Sequence, residues 1–254
     1  MEETNGHRRA SGSGLPWNAE DLRHALLRRA HFVRAGGRSR RSGRGLAHAG
    51  VSRRTIRRIG ARAAAALLRN GNRATAARVM AGLSQGRYHD EQVLALEILD
   101  RIADLWPDWA LETTAAQSRS LRHPWVADRL AEIQGRLISR NPAFMGKHAL
   151  WAVSPNPLRR RAAALALLPS RRARGSRGVT ASRALPILRL LLQDPEPHPW
   201  VRQGVGRVLI HFARRAPKTI DRLLRDYGGA TPTGLDPRHL ERARQVLESL
   251  PSAS

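Results

Sequence analysis

The sequence has no cysteine, only two lysines (Lys147 and Lys218), few aromatic residues and no long hydrophobic run. The missing cysteines exclude a disulfide scaffold, a thiol nucleophile, an iron–sulfur cluster and Cys-ligated zinc. The longest apolar stretches, such as 162–168 (AAALALL), fall far short of the roughly 20 residues that span a bilayer, so no membrane partner is expected. Glu2 and Glu3 are followed by no apolar core, so no signal peptide is expected, and the location predicted is cytoplasmic and nucleoid-associated. Common catalytic signatures are also missing. Gly146-Lys147 runs into His148 and lacks the upstream glycine of a P-loop, the ten histidines show no HExxH spacing, and no G-x-S-x-G elbow occurs. Gly204-Val205-Gly206 lies inside a helical pattern and reads as a site of close helix packing. No cofactor and no metal is expected.

Acids are scarce too: 20 Asp and Glu stand against 45 Lys and Arg, a net charge of +25 over 254 residues. Such an excess points to a polyanion partner, and arginine suits phosphate because its planar fork binds two oxygens at once. A compositional preference for arginine over lysine would explain the Arg/Lys ratio, but not the net charge. The charge is unevenly spread. Residues 1–60 hold 14 arginines and four acids, residues 159–189 nine arginines and no acid, and residues 90–112 seven acids and one arginine. That segregation predicts a basic face and an acidic face pointing away from it.

Apolar residues make up 41% of the chain, enough for a core, and their spacing is helical nearly throughout. Strand and hairpin signals are nearly absent. Ser52 is a candidate N-cap for a helix carrying Ile56, Ile59, Ala63 and Leu67. Further helices are predicted over about 73–83, from an Asp90 cap to Pro107, and over about 108–118. Others start at Pro124, Pro142, Pro157 and Pro186, and the last three cover 200–216, 218–227 and 236–250. Alternate helices begin near 52, 90, 123, 157, 199 and 236. A period of about 40 residues with two helices per unit predicts an all-α, HEAT-like helical-repeat solenoid over 51–250 with a concave basic face. Residues 1–50 read as a basic, partly disordered arm with room for one helix. The segments 36–46 and 171–183, rich in Gly, Ser and Arg, read as mobile basic loops or plain linkers.

Three segments open helices in successive repeats: His123-Pro124-Trp125-Val126-Ala127-Asp128, Trp151 through Arg161, and Trp200-Val201-Arg202 through Leu209. Equivalent positions of a solenoid line one face, so Asp128, Arg161 and Arg207 are expected to converge. Each has a plainer reading. Asp128 suits a first-turn acid favoured by the helix dipole. Trp125 and Trp151 suit core anchors, and Trp200 a staple at a helix start. Arg159 and Arg160 suit a solvated face, and Arg161 a pair with an acid of a neighbouring repeat.

Over about residues 50–228 these segments resemble the DNA alkylation repair family, the AlkD-like HEAT-repeat DNA glycosylases. Gly50-Val51-Ser52 with Ile56-Arg57-Arg58-Ile59 resembles the family's first-repeat pattern. Asp128 through Pro142 matches the spacing of the segment that holds its essential aspartate. Asn156-Pro157 with Arg160-Arg161 resembles the N-P-W-x-R-R stretch, and 185–210 resembles the stretch reading V-Q-x-G-V-G-W-x-L-R. The resemblance implies excision of N3- or N7-alkylated purines. Asp128 would stabilise positive charge on the sugar and orient the attacking water, Arg161 would hold the adjacent phosphate, and Trp125 would pack on the sugar–base unit. The chain departs from the pattern at Leu158 and Arg207, where the family has tryptophan. It also departs at Trp125, three residues before Asp128 instead of four, a turn of roughly 100° on a helix.

Three functions follow as alternatives: an alkylpurine DNA glycosylase, a non-catalytic binder of bent, branched or damaged DNA, and a solenoid for protein or RNA whose charge is compositional. The first is the leading expectation, with double-stranded DNA as partner and a monomer as the working state. Asp128, Trp125 and Arg161 are its candidate catalytic residues. Arg159, Arg160, Arg202, Arg207, Arg214 and Arg215 are its candidate DNA contacts, expected on one concave surface.

Overall fold

The computed structural model describes residues 18–30, 47–69, 73–170, 178–228 and 230–249. Within them the chain forms twelve α-helices: α1 Ala19–Leu27, α2 Arg53–Arg69, α3 Arg73–Ser84, α4 His89–Ile102, α5 Pro107–Ser118, α6 Pro124–Arg140, α7 Met145–Ala149, α8 Pro157–Leu165, α9 Ala181–Leu192, α10 Pro199–Arg215, α11 Pro217–Arg225 and α12 Pro237–Glu248. A 3₁₀ turn, Pro142–Phe144, precedes α7. No strand occurs among the described residues; the one β-type feature is an isolated bridge between Ala47 and Tyr88.

The helices form two layers. The inner layer is α2, α4, α6, α8, α10 and α12, each packed on the next; α1, α3, α5, α9 and α11 pack against it from outside. The inner helices start at 53, 89, 124, 157, 199 and 237, within a residue of the expected repeat starts. The fold is an all-α helical repeat. Proline sets many of these starts: it occupies the first position of α5, α6, α8, α10, α11 and α12, where its missing N–H costs no bond. One continuous core runs through the layers, from Leu22 and Leu26 of α1 to Leu240 and Ala243 of α12.

Close approach of inner helices rests on glycine. A Cβ on Gly135 of α6 would lie 2.5 Å from the Ala166 carbonyl oxygen beyond α8, and one on Gly206 of α10 would lie 2.3 Å from the His239 ring of α12. The packing reading of Gly204-Val205-Gly206 therefore has a concrete partner.

Several sequence expectations need correction. Pro186 does not open a helix; it lies on the exposed side of α9, and the apolar stripe Ala184, Ile187, Leu188 and Leu191 carries the helix through. Tyr88, not Asp90, is the N-cap residue of α4; Asp90 is buried in the first turn and its carboxylate accepts the Ala49 N–H at 2.7 Å. Pro142 opens a 3₁₀ turn before the single-turn helix α7; Phe144 and His148 anchor the segment in the core, and it ends at the exposed Leu150. The expected basic loop over 171–183 ends earlier: Val179 is buried and Ala181–Arg183 form the first turn of α9. Residues 171–177 and the loop expected over 36–46 lie outside the described residues, as does most of the expected arm over 1–50. The described part of that arm includes α1, whose Leu22 and Leu26 are fully buried.

Residues 90–112 supply the expected acidic face only in part, through the exposed Asp104, Asp108 and Glu112. Asp90, Glu91 and Glu97 are buried. Asp100 is clamped by Arg129 at 2.6 Å and Arg136 at 2.7 Å, and Asp104 by Arg136 at 2.9 Å and Arg140 at 2.6 Å. The cause is topological. α4 lies in the inner layer between α2 and α6, so Glu97 and Asp100 face Arg129 and Arg136 of the next repeat instead of water, and Glu91 pairs with Arg23 of α1. Burial alone would raise the Asp100 carboxyl, but Arg129 and Arg136 together outweigh it and hold it below the usual carboxylate range.

Candidate functional site

A cleft of about 390 Å³ opens between the inner helices, within the size range of small-ligand sites. Arg53 and Arg57 of α2, Trp125, Asp128, Arg129 and Glu132 of α6, Leu165, Leu168, Pro169 and Ser170 around the end of α8, and Arg207 of α10 line it. Three consecutive inner-layer helices or their ends, α6, α8 and α10, therefore meet α2 at one place, and α4 contributes no lining residue.

Local structure explains the α6 wall. The His123 Nδ1 accepts the Trp125 N–H at 3.2 Å and caps the helix start behind Pro124. Trp125 and Asp128 are three apart, hence on neighbouring faces of one helix, and both reach the cleft. Arg53 stacks on the Trp125 ring at 4.3 Å from its centroid, a cation–π contact. The His89 ring lies on the ring's surroundings at 5.6 Å.

Asp128 is the fifth residue of α6, beyond the first turn, so the helix terminus does not set its environment. Arg161 does. Its Nε and Nη2 donate to the two Asp128 carboxylate oxygens at 2.6 and 3.0 Å, a bidentate pair. Its Nη1 donates to the Trp200 carbonyl at 2.8 Å and to Gln203 Oε1 at 2.9 Å. Arg161 is only 4% exposed, so four inward bonds occupy its fork. The Asp128 side chain keeps 32% exposure, and Arg207, with 42%, holds Nη1 3.8 Å from it. One carboxylate thus faces a cleft with a buried guanidinium behind it and an exposed one beside it.

The other sequence candidates are dispersed. Arg160 binds Asp194 at 2.8 Å and the Ser154 carbonyl at 2.7 Å. Arg159 lies over Trp151 at 5.5 Å from the ring centroid. Trp151 is 1% exposed and belongs to the core, as does Leu158. Trp200 is a partly exposed ring stacked on His198, and its backbone serves Arg161. On α10, Arg207 and Arg214 are seven residues apart and share a helix face, whereas Arg202 is five before Arg207 and points elsewhere. Arg214 and Arg215 are exposed at the helix end; burial first, and then Arg215 and Arg214, hold the His211 imidazole below its usual range. Arg159, Arg160, Arg202, Arg214 and Arg215 do not line the cleft.

Sequence reasoning missed Arg53 and Arg57, whose i, i+4 spacing on an exposed helix start was a usable signal. It also missed Gln203 and the Trp200 carbonyl as anchors of Arg161, for which no local signal exists. No helix among the described residues is long and apolar enough to cross a membrane.

Comparison with known proteins agrees with this geometry. No curated individual protein matches the chain. The family described as DNA alkylation repair enzyme matches over residues 24–235, which includes the whole cleft. That family implies a DNA alkylation repair role, with DNA as partner. A match over most of the length, together with the helical-repeat fold, shows that the chain belongs to the DNA alkylation repair enzyme family.

Proposed function

We propose that the protein is a DNA glycosylase that excises N3- or N7-alkylated purines from duplex DNA, with Asp128 as its catalytic carboxylate. The observation that carries this reading is the bidentate Arg161 clamp. It fixes Asp128 in one orientation at the mouth of a cleft lined by Trp125 and four arginines. Cleavage breaks the C1′–N bond and the electron pair leaves with the base. An alkylated purine already carries positive charge, so it leaves without a strong acid. The sugar develops positive charge, which a fixed carboxylate stabilises. Water adds to C1′ and loses a proton.

In this reading Arg161 is a positioning residue, because its donors serve Asp128, Trp200 and Gln203 and leave little for a phosphate. Phosphate contact falls to Arg53, Arg57 and Arg207 at the rim. Arg207 must leave Asp128 when a cationic base enters, since two like charges about 4 Å apart repel by about 4 kcal/mol near a protein surface. Its exposure leaves it free to swing to a phosphate.

Arg207 also favours the second reading, a binder of damaged DNA that does not excise. With two guanidiniums against it, Asp128 has less charge to offer a sugar cation. One experiment separates the two: release of 7-methylguanine and 3-methyladenine from methylated duplex by wild type and Asp128→Asn. The glycosylase reading expects release by wild type, reduced about 100-fold or more in the variant. Tight duplex binding by wild type without release leaves the binder.

A further inference from the structure

Behind the Trp125 wall lies a cluster that the function above does not use. The isolated bridge joins Ala47 to Tyr88, and the His89 N–H donates to the Ala47 carbonyl at 2.8 Å. This pins residues 47–50 against the start of α4 and brings His48 onto His89, ring centroids 4.4 Å apart. Asp90 joins them: its Oδ2 lies 3.9 Å from His48 Nδ1. One ligand atom from each of His48, His89 and Asp90 lies within 4.8 Å of the others.

We propose that His48, His89 and Asp90 form a binding site for a divalent transition-metal ion of the zinc class. His89 is 7% exposed and its Nε2 is buried with no hydrogen-bond partner among the described residues, a polar atom held in the interior without the bond that normally justifies its burial. Two imidazoles and one carboxylate are a donor set that zinc, cobalt and nickel accept, and three protein ligands leave a position for water. Ligand atoms around a tetrahedral zinc stand about 3.4 Å apart, so side-chain shifts of about 1 Å complete the shell.

The surrounding groups define the site further. His123 lies 4.6 Å from the His89 ring, but its Nδ1 accepts the Trp125 N–H. A neutral His123 ring therefore carries its proton on Nε2 and has no ring nitrogen left to ligate. Arg53 is the opposing charge, and the Asp90 carboxylate, buried and bonded to the Ala49 N–H, is what offsets it. The ion would clamp residues 47–50 to α4 directly behind Trp125. The inference does not depend on what Asp128 does.

The test is a zinc titration of the full chain after chelator treatment, followed by calorimetry, with cobalt absorption as the coordination readout. We expect one equivalent bound at micromolar or tighter affinity, a tetrahedral cobalt spectrum and a raised melting temperature. His89→Gln and His48→Gln should each weaken binding by more than the roughly 10–100-fold that loss of an outer-shell partner costs. His198→Gln, whose histidine stacks on Trp200 away from the cluster, should leave it unchanged. His48 lies outside any helix, so its variant serves if the buried His89 change prevents folding. Absence of a stoichiometric zinc site in wild type, or a site equally strong in both cluster variants, would overturn the proposal.

Discussion

The α4–α6 interface and the Asp128 cleft are built from the same two side-chain types and do opposite things with them. At the interface Glu97, Asp100, Asp104 and Glu132 meet Arg129, Arg136, Arg101 and Arg140, acid for base, around a buried centre of Glu97, Asp100, Arg129 and Arg136. In the cleft Asp128 serves both Arg161 and Arg207, with Arg53 and Arg57 beside it. The first region is electrically balanced and closed; the second carries surplus positive charge and is open. A net charge of +25 therefore belongs to particular places, and an arginine's partner decides whether it holds the fold together or faces an anion.

Breaking the balanced region should have the largest effect on stability. Arg136→Met strips Asp100 and Asp104 of a shared partner and leaves Asp100 partly uncompensated in the interior. Urea unfolding should show a loss of about 3 kcal/mol. Arg207→Met in the open region should change stability by no more than about 0.5 kcal/mol, because its guanidinium is exposed and screened.

Between these lies a pH effect that needs no partner. His148 is fully buried, donates from Nε2 to the Ala163 carbonyl at 3.0 Å, and has no partner for Nδ1 among the described residues. Burial, with Arg159 nearby, holds it down to about 4 against that hydrogen bond. Its folded value lies below its unfolded value of 6.5, so unfolding takes up a proton between the two. Stability is fully present above pH 6.5 and falls as pH drops toward 4. At pH 5 the loss from this group is on the order of 2 kcal/mol. In His148→Gln, unfolding measured from pH 7 to pH 5 should lose this part of the slope.

The smallest effect sharpens the comparison most. Duplex affinity measured against salt should lose about one unit of log–log slope in Arg207→Met, since one phosphate contact goes. Arg136→Met should leave the slope unchanged. Equal slopes in wild type and Arg207→Met would place Arg207 with the structural arginines.

Much of the architecture was readable in the chain. The three-to-four spacing on α2, α4, α6 and α10, the prolines at helix starts and the period near 40 residues give two helices per unit and the order of the inner layer. Pro186 misled because a buried stripe overrode its local signal. The cleft was readable in part: Asp128, Trp125 and Arg207 share it, and Arg161 meets Asp128 as an acid of a neighbouring repeat. The His48, His89 and Asp90 cluster was not readable, because 41 residues separate His48 from His89 and no spacing rule links them.

What the sequence alone determined is periodic: helix content, repeat length, inner-layer order and the excess of arginine. What only the tertiary structure decided is pairing. Arg129 and Arg136 find Asp100 at separations of 29 and 36 residues, and Arg161 finds Asp128 at 33. Each separation is about one repeat, so stacking, and not chain proximity, brings the charges together. Periodicity is carried by the local spacing of apolar side chains. An ion pair depends on where two helices from different repeats come into contact, and that is set by the packed core between them.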